Sequence, residues 1–453
     1  MVILGCRWRK LRAAWIRKGM VMSMQNQLQK LAEAAAAHES SAAVGRLKRL
    51  FDEGTFVELD RFSCDEAAIG YGTVDGSPVY AFAQNREVCC GAVGKAQAAK
   101  IRQVYALAEQ NGAPVVGLFD SDGAKLGEGL DAMDALAEIL LISNRISGVV
   151  PQIAVVAGAC VGSAALVAAN ADITVAVDGA DYYLKPDEKG SAAVAAADVD
   201  EAIDKVRGLL ALLPSNNLTA APAYDFDDAA MAEAADAAAA VEAVADAGSS
   251  VRLFAGECGT AVLGRVGGIA CGIVALTGDA VCGGAAAQIA RFVRLCDAFS
   301  LPVISFVDAA GFADLGGAAK LAHTYAEATT AKVTVVTGRA YGPVYIAVAG
   351  KSAGADAVLA WPDAVISPLS PEAAVHIEWK ERLAQMKNPE QDRAALIEEY
   401  AKTMCSPLSA AAGGYVTDVV APGETKARVM ALLDMLSGKR VSRLPKKHSN
   451  LPL

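Results

Sequence analysis

Two stretches of this chain combine residue types that can do chemistry through the backbone. Ile153–Ala164 reads IAVVAGACVGSA and Pro114–Ala124 reads PVVGLFDSDGA. Each is an apolar run, read as a buried strand, that leads into a glycine-containing turn and then helical sequence. Such a turn exposes N–H groups that have no partner within the helix. Those groups, with the helix dipole, stabilise negative charge. Gly162-Ser163-Ala164, after a strand Ile153–Ala157, is suited to this, and so is Gly123-Ala124. Two such turns can aim two donors at one carbonyl oxygen, as an oxyanion hole does, and a thioester becoming an enolate is the natural client. Glycine after a buried strand also serves plain helix–sheet packing, so one turn alone decides nothing.

Side-chain catalysts are scarce. His38, His323, His376 and His448 are the only histidines, and no GxSxG motif is present. The glycine-rich stretches form neither a Walker loop nor a GxGxxG fingerprint. The ten cysteines show no CxxC spacing, and most sit in apolar sequence, as free buried thiols of a reducing cytoplasm do. Near the first turn, Asp122 and Glu128 are the local acid–base candidates, or else loop carboxylates. Chemistry run by backbone donors is what remains.

The elements that must position these turns occur twice. Pro302–Phe312 reads PVISFVDAAGF and matches Pro114–Ala124, with Asp308 under Asp120 and Gly311 under Gly123, 188 residues on. Val333–Val344 reads VTVVTGRAYGPV and matches Ile153–Ala164, with Gly338 under Gly158 and Gly342 under Gly162, 180 residues on. A third match pairs residues 170–172 with 354–356. Helices are expected at Leu130–Ile146 and Gly316–Thr329. Each copy therefore reads strand, turn, helix, strand, turn, helix, strand, which predicts an α/β fold with a largely parallel sheet.

Length and charge bound the rest. The 453 residues argue for more than one domain, and the net charge of −10 speaks against nucleic-acid binding. Residues 1–24 are basic with no continuous apolar core, which makes a poor signal peptide; they fit a translation start at Met20, Met22 or Met24. Val149–Ala169 is apolar but carries Pro151, Gly158 and Gly162, which suits a strand and turn better than a membrane span. Five segments are expected: this extension, a first domain over 25–218, an acidic Ala-rich linker and helix over 219–250, a second domain over 251–438 and a frayed basic tail over 439–453.

At these residues the chain resembles the biotin-dependent acyl-CoA carboxyltransferase family, the type of the propionyl-CoA carboxylase β-subunit and the methylmalonyl-CoA decarboxylase α-subunit. The likeness runs from about Gly45 to Leu436. It includes GRLKRLFDEGTFVELD (45–60), GYGTVDGSPVYAFAQ (70–84), SGVVPQIAVVAGACVGSAA (147–165), ARFVRLCDAFSLPVISFVDAAGF (290–312) and KLAHTYAEATTAKVTVVTGRAYG (320–342). The resemblance implies two tandem crotonase-like domains. It implies carboxyl transfer between carboxybiotin on a carrier protein and an acyl-CoA, the ureido nitrogen taking the substrate proton. It places the Gly162 and Ser163 amides on the thioester enolate, with Gly123, Ala124 and Lys125 toward coenzyme A. On the biotin side it places the Gly342-Pro343-Val344 turn with Gly311, Phe312, Tyr341, Tyr345 and Ile346. The implied partners are a biotin carrier protein, and biotin carboxylase or membrane decarboxylase subunits. A homo-oligomer, a dimer or trimer of dimers, is implied too, with sites between the first domain of one subunit and the second of another. The implied setting is cytoplasmic, or peripheral to a membrane decarboxylase complex.

The chain departs from that pattern in particular residues. Pro343, without an N–H, and Ile346 stand in a turn that usually reads Gly-Gly-Ala-Tyr-Asp. The loop after Phe312 is about ten residues short of the family's usual length. Asp122 replaces a usual glycine, and Lys125 stands where arginine is common. Two other readings stay open: a biotin-independent crotonase-type hydrolase or isomerase, and a catalytically degenerate scaffold subunit. Short length, no zinc ribbon and the run GADAVLAWPDAVI (354–366) lean toward the sodium-pump decarboxylase branch.

Overall fold

The computed structural model describes residues 24, 26–36, 38–226, 234–385 and 389–452. Thus the N-terminal extension lies outside the described residues except for Met24.

Apolar runs without alternation become strands buried on both faces. Val115–Ser121 (β4) has every residue buried. Its side chains still alternate between two cores: Val116 and Leu118 enter one cluster, Val115 and Phe119 the other. Val303–Ala309 (β13) repeats the arrangement, with Val303 and Val307 on one face and Ile304 and Phe306 on the opposite one.

The first sheet is built on β1 (Val57–Leu59), β2 (Ala67–Val74), β3 (Ser77–Gln84), β4, β5 (Gln152–Val161), β6 (Ile173–Val177) and β9 (Val194–Ala196), in that order. β7 (Asp181–Lys185) pairs with β5, and β8 (Glu188–Lys189) with β7. The second sheet runs β10 (Val251–Gly256), β11 (Gly259–Val266), β12 (Ile269–Gly278), β13, β14 (Lys332–Tyr341), β15 (Ala357–Ala360) and β17 (Asp418–Val419). β16 (Val365–Ser367) pairs with β14. The two main paths correspond strand for strand and β7 corresponds to β16, so the repeat seen in sequence extends across both sheets, β8 alone having no counterpart among the described residues. Along its main path each sheet is parallel from its third strand on and antiparallel before it, and β7–β8 is a further antiparallel pair in the first sheet. "Largely parallel" therefore holds only for the half of each sheet that carries the turns.

The antiparallel parts on the main paths are hairpins outside the stretches that repeat in sequence. Asp75-Gly76 links β2 to β3 with φ of 48° and 78°, the positive-φ geometry of a two-residue hairpin. The Asp52 carboxylate accepts from both turn amides. Gly267-Gly268 links β11 to β12, and Asp246 accepts from both of its amides.

Within 219–250, the described helix is Ala237–Val244, capped by Asp236, and residues 227–233 lie outside the described set. In the first half of the tail, Lys439 pairs with Asp356 at 2.7 Å and Arg443 with Glu327 at 3.2 Å. Five of the nine described cysteines are buried, as most were expected to be, while Cys89, Cys90 and Cys282 are exposed. No helix among the described residues is long and apolar enough to cross a membrane.

Candidate functional site

The repeat's two aspartates and two inner glycines answer one structural need. β4 and β5 pair in register up to Phe119↔Val156 and resume at Ser121↔Cys160. Between these pairs β4 contributes Asp120 alone, while β5 contributes Ala157, Gly158 and Ala159. Such a bulge leaves backbone N–H groups without ladder partners. Asp120 Oδ1 supplies one acceptor, taking the Ala159 N–H at 3.1 Å. In the second sheet the gap lies between Val307↔Val336 and Ala309↔Ala340, and Asp308 Oδ1 takes the Arg339 N–H at 2.9 Å. Glycine is required opposite each carboxylate. A Cβ on Gly158 would lie 2.5 Å from Asp120 Oδ1, and one on Gly338 would lie 2.5 Å from Asp308 Cγ.

The bulge also redirects the strand. β5 pairs with β6 before it and with β7 after it. β14 changes from β15 to β16 in the same way. The strand Ile153–Ala157 expected from sequence is thus too short: it runs on through Gly158 to Val161 and delivers Gly162 to the turn.

Gly162 has φ 58° and ψ −129°, which an L side chain strains to adopt. Its N–H donates to Tyr183 O at 3.0 Å, which removes it from the donor set. Ser163 is the first residue of the helix Ser163–Ala169, so its N–H and that of Ala164 are unclaimed by the helix. The Gly123 turn lies alongside, since a Cβ on Gly123 would stand 3.1 Å from Val161 O. It is not at a helix N-terminus as expected; the next long helix starts at Leu130. Instead it is clamped by Val93, whose N–H donates to Gly123 O and whose O accepts from Lys125 N–H. Among the described residues the intervening Ala124 N–H has no acceptor. The first unit thus pairs two open donors, Ala124 N–H and Ser163 N–H.

The second unit repeats the clamp. Val281 N–H donates to Gly311 O and Val281 O accepts from Ala313 N–H, leaving the Phe312 N–H without an acceptor among the described residues. Pro343, however, occupies the position of Ser163 and brings no donor. The short helical turn Gly342–Val344 leaves Val344 N–H in its place, and Tyr345–Ala349 continues it as a π-helical turn. Tyr341 and Tyr345 are half-buried, and burial raises both hydroxyl pKa values. Ile346 is 71% exposed. Sequence reading missed Arg339, whose guanidinium spans Asp308 at 2.9 Å and Asp279 at 2.6 Å beside this turn. It also missed Val93 and Val281, although they stand 188 residues apart like the aspartates.

A carboxyl transferase domain model matches residues 36–185 and 186–451. The chain belongs to that family. It is 34% identical to the propionyl-CoA carboxylase beta chain of Saccharopolyspora erythraea over 90% of each chain. It is 33% identical to the methylmalonyl-CoA decarboxylase subunit alpha of Propionigenium modestum, over 90% of this chain and 92% of that one. Among solved structures it is similar to transcarboxylase 12S with hydrolysed methylmalonyl-coenzyme A bound: TM-score 0.87, 28% identity, covering 95% of this chain and 99% of that one. The carboxyltransferase fold here is two crotonase-like units in tandem.

The side chains around the first turn of this carboxyltransferase are already engaged. Asp122 pairs with Arg86 at 2.7 Å. Glu128 accepts the Lys95 N–H at 2.7 Å, at the start of the helix Lys95–Asn111, and this bond foremost holds its pKa below the usual range. Lys125 bonds Glu66 at 2.9 Å and Glu128 at 3.3 Å, and the Glu66 bond is the largest cause of its raised pKa. A Lys125 contact with a coenzyme A phosphate would require leaving both carboxylates.

A cleft of about 1210 Å³ opens between the two units, lined by Asp172, Lys205, Arg252, Arg291 and Arg294 among others. None of the candidate catalytic, coenzyme A or biotin residues lines it. Burial raises the Asp172 pKa to about 6, opposed by a bond from the Gln152 N–H and by nearby Arg291.

Proposed function

We propose that this carboxyltransferase moves a carboxyl group between an acyl-CoA and biotin borne on a separate carrier protein. The observation that carries the reading is the pair of open N–H donors, Ala124 and Ser163, on adjacent turns of the first unit. They suit a thioester oxygen that becomes an enolate oxygen. When the C–C bond to the carboxyl group breaks, its electron pair moves onto that oxygen, where both donors strengthen their bonds. No side-chain base is needed for that step, in keeping with Asp122 and Glu128 being tied into ion pairs and a helix start. Biotin supplies the ureido group that gives or receives the carboxyl. Phe312 and Val344 would hold its oxygen from the second unit, Val344 standing in for the donor that Pro343 lacks. Gly123 and Lys125 remain on the coenzyme A side; Gly311, Tyr341, Tyr345 and Ile346 remain on the biotin side.

A homo-oligomer that covers these turns is supported by exposed apolar side chains next to them. Leu126 and Leu130 beside the first unit's turns are 92% and 85% exposed, and Leu315 and Ile346 beside the second unit's are 85% and 71%; exposed apolar side chains beside functional turns mark surfaces that a partner covers. Biotin carboxylase, or membrane decarboxylase subunits, would complete the enzyme. Two separate sheets, ending at Ala196 and beginning at Val251, support the division into an acyl-CoA domain and a biotin domain.

The test is CO₂ release from malonyl-, methylmalonyl- and glutaconyl-CoA by the purified protein, with and without free biotin. Release that depends on biotin supports the proposal and identifies the acyl group. Release of free coenzyme A instead would support the hydrolase.

A further inference from the structure

Two thiols outside the proposed transfer chemistry are placed to react with each other. Cys258 lies in the link between β10 and β11 and is buried; Cys282 precedes the sixteen-residue helix Gly283–Ala298 and is exposed. Their sulfurs are 2.9 Å apart, Cys258 donating to Cys282, and Cys258 Sγ also accepts the Cys282 N–H at 3.2 Å. The Cys282 thiol is held below its usual pKa, first by the Cys258 donor and then by the Ala285 N–H at the helix start. Burial raises Cys258. One thiol is therefore a reachable nucleophile, and the other is a sheltered partner within contact distance. Glu257, next to Cys258, is the opposing charge and adds to the rise of the Cys258 thiol.

We propose that Cys258 and Cys282 form a reversible disulfide when the protein meets a peroxide, with Cys282 attacking first. The Cys282 thiolate attacks one peroxide oxygen, the O–O bond breaks, and hydroxide leaves, giving a sulfenic acid on Cys282. Cys258 gives its proton to that hydroxide. Its thiolate then attacks the Cys282 sulfur and expels a second hydroxide, which takes up the proton that Cys282 released on ionising. Overall, two thiols and one hydrogen peroxide give one disulfide and two waters. A dithiol reverses the bond by exchange. The site is one residue from Val281, which clamps the Gly311–Ala313 turn. It borders the biotin side of the proposed function without depending on it.

The experiment treats the whole protein with stoichiometric hydrogen peroxide, blocks free thiols with iodoacetamide and maps the peptides by mass spectrometry. The expected product is a Cys258–Cys282 cross-linked peptide that dithiothreitol removes, formed before Cys89 or Cys90 reacts. In C258S, with folding checked by circular dichroism, dimedone should label Cys282 as the trapped sulfenic acid. Both thiols remaining open to iodoacetamide while Cys89 or Cys90 oxidises would overturn the proposal. So would oxidation of Cys258 in C282S at the rate seen for Cys282 in C258S. The readout is covalent mass, so it stands whether or not the protein transfers carboxyl groups.

Discussion

Asp120 and Gly158 are fitted to one another across a break in the sheet: the carboxylate occupies the space that any side chain at 158 would need, 2.5 Å from an added Cβ. Gly158→Ala should therefore displace the acceptor of the Ala159 N–H. The expected loss is about 1–3 kcal/mol of stability, the usual range for overpacking a tight site, read as a fall in urea midpoint at unchanged slope.

Removing the carboxylate itself tests the same break from the other strand. Asp120 is buried and pairs with Arg46 at 2.9 Å, whereas the Asp308 side chain is 31% exposed. Asp120→Ala should cost about 1–3 kcal/mol through an orphaned buried N–H and an unpaired guanidinium. Asp308→Ala should cost less. Thermal melts of the two variants, side by side, give the order.

Glu128 separates the two enzymatic readings. If it only holds the start of the helix Lys95–Asn111, Glu128→Ala lowers stability by about 0.5–2 kcal/mol, as loss of a helix cap does, and kcat for biotin-dependent CO₂ release stays the same. A kcat collapse with intact folding would instead make Glu128 an acid or base.

Asp172 sets a pH dependence. Its carboxyl is raised from 3.8 to about 6 by burial, so the folded state binds its proton more tightly than the unfolded chain does. The stability it contributes is present below about pH 4 and is lost as pH rises through about 6. Asp172→Asn should flatten the urea midpoint against pH across that window.

Much of this was legible in the chain. β4, β5, β13 and β14 could be read because parallel strands buried on both faces are unbroken apolar runs, and because the repeat places Asp120, Gly158 and Gly162 over Asp308, Gly338 and Gly342. The purpose of the inner glycines was not legible. It depends on a carboxylate bonding a backbone N–H of the next strand, a contact between Asp120 and Ala159 that no local pattern marks. The same limit hid the Gly162–Tyr183 bond, which takes from the donor set a group that motif position alone would keep. The clamps at Val93 and Val281 escaped notice because a single valine carries no chemistry; only its spacing does.

Ser163 and Pro343 occupy equivalent positions in the two units, and only Ser163 offers an N–H. Proline is tolerated at the first residue of a helix, so Ser163→Pro removes the proposed enolate donor and leaves the fold standing. The decisive measurement is kcat for biotin-dependent CO₂ release by this variant, on the acyl-CoA that the wild type turns over best, with the melting temperature as control. The expected result is a fall of about 10²–10³-fold with KM for the acyl-CoA little changed. A kcat within a few fold of wild type, in a protein that melts normally, would contradict the assignment of that backbone donor to the transition state.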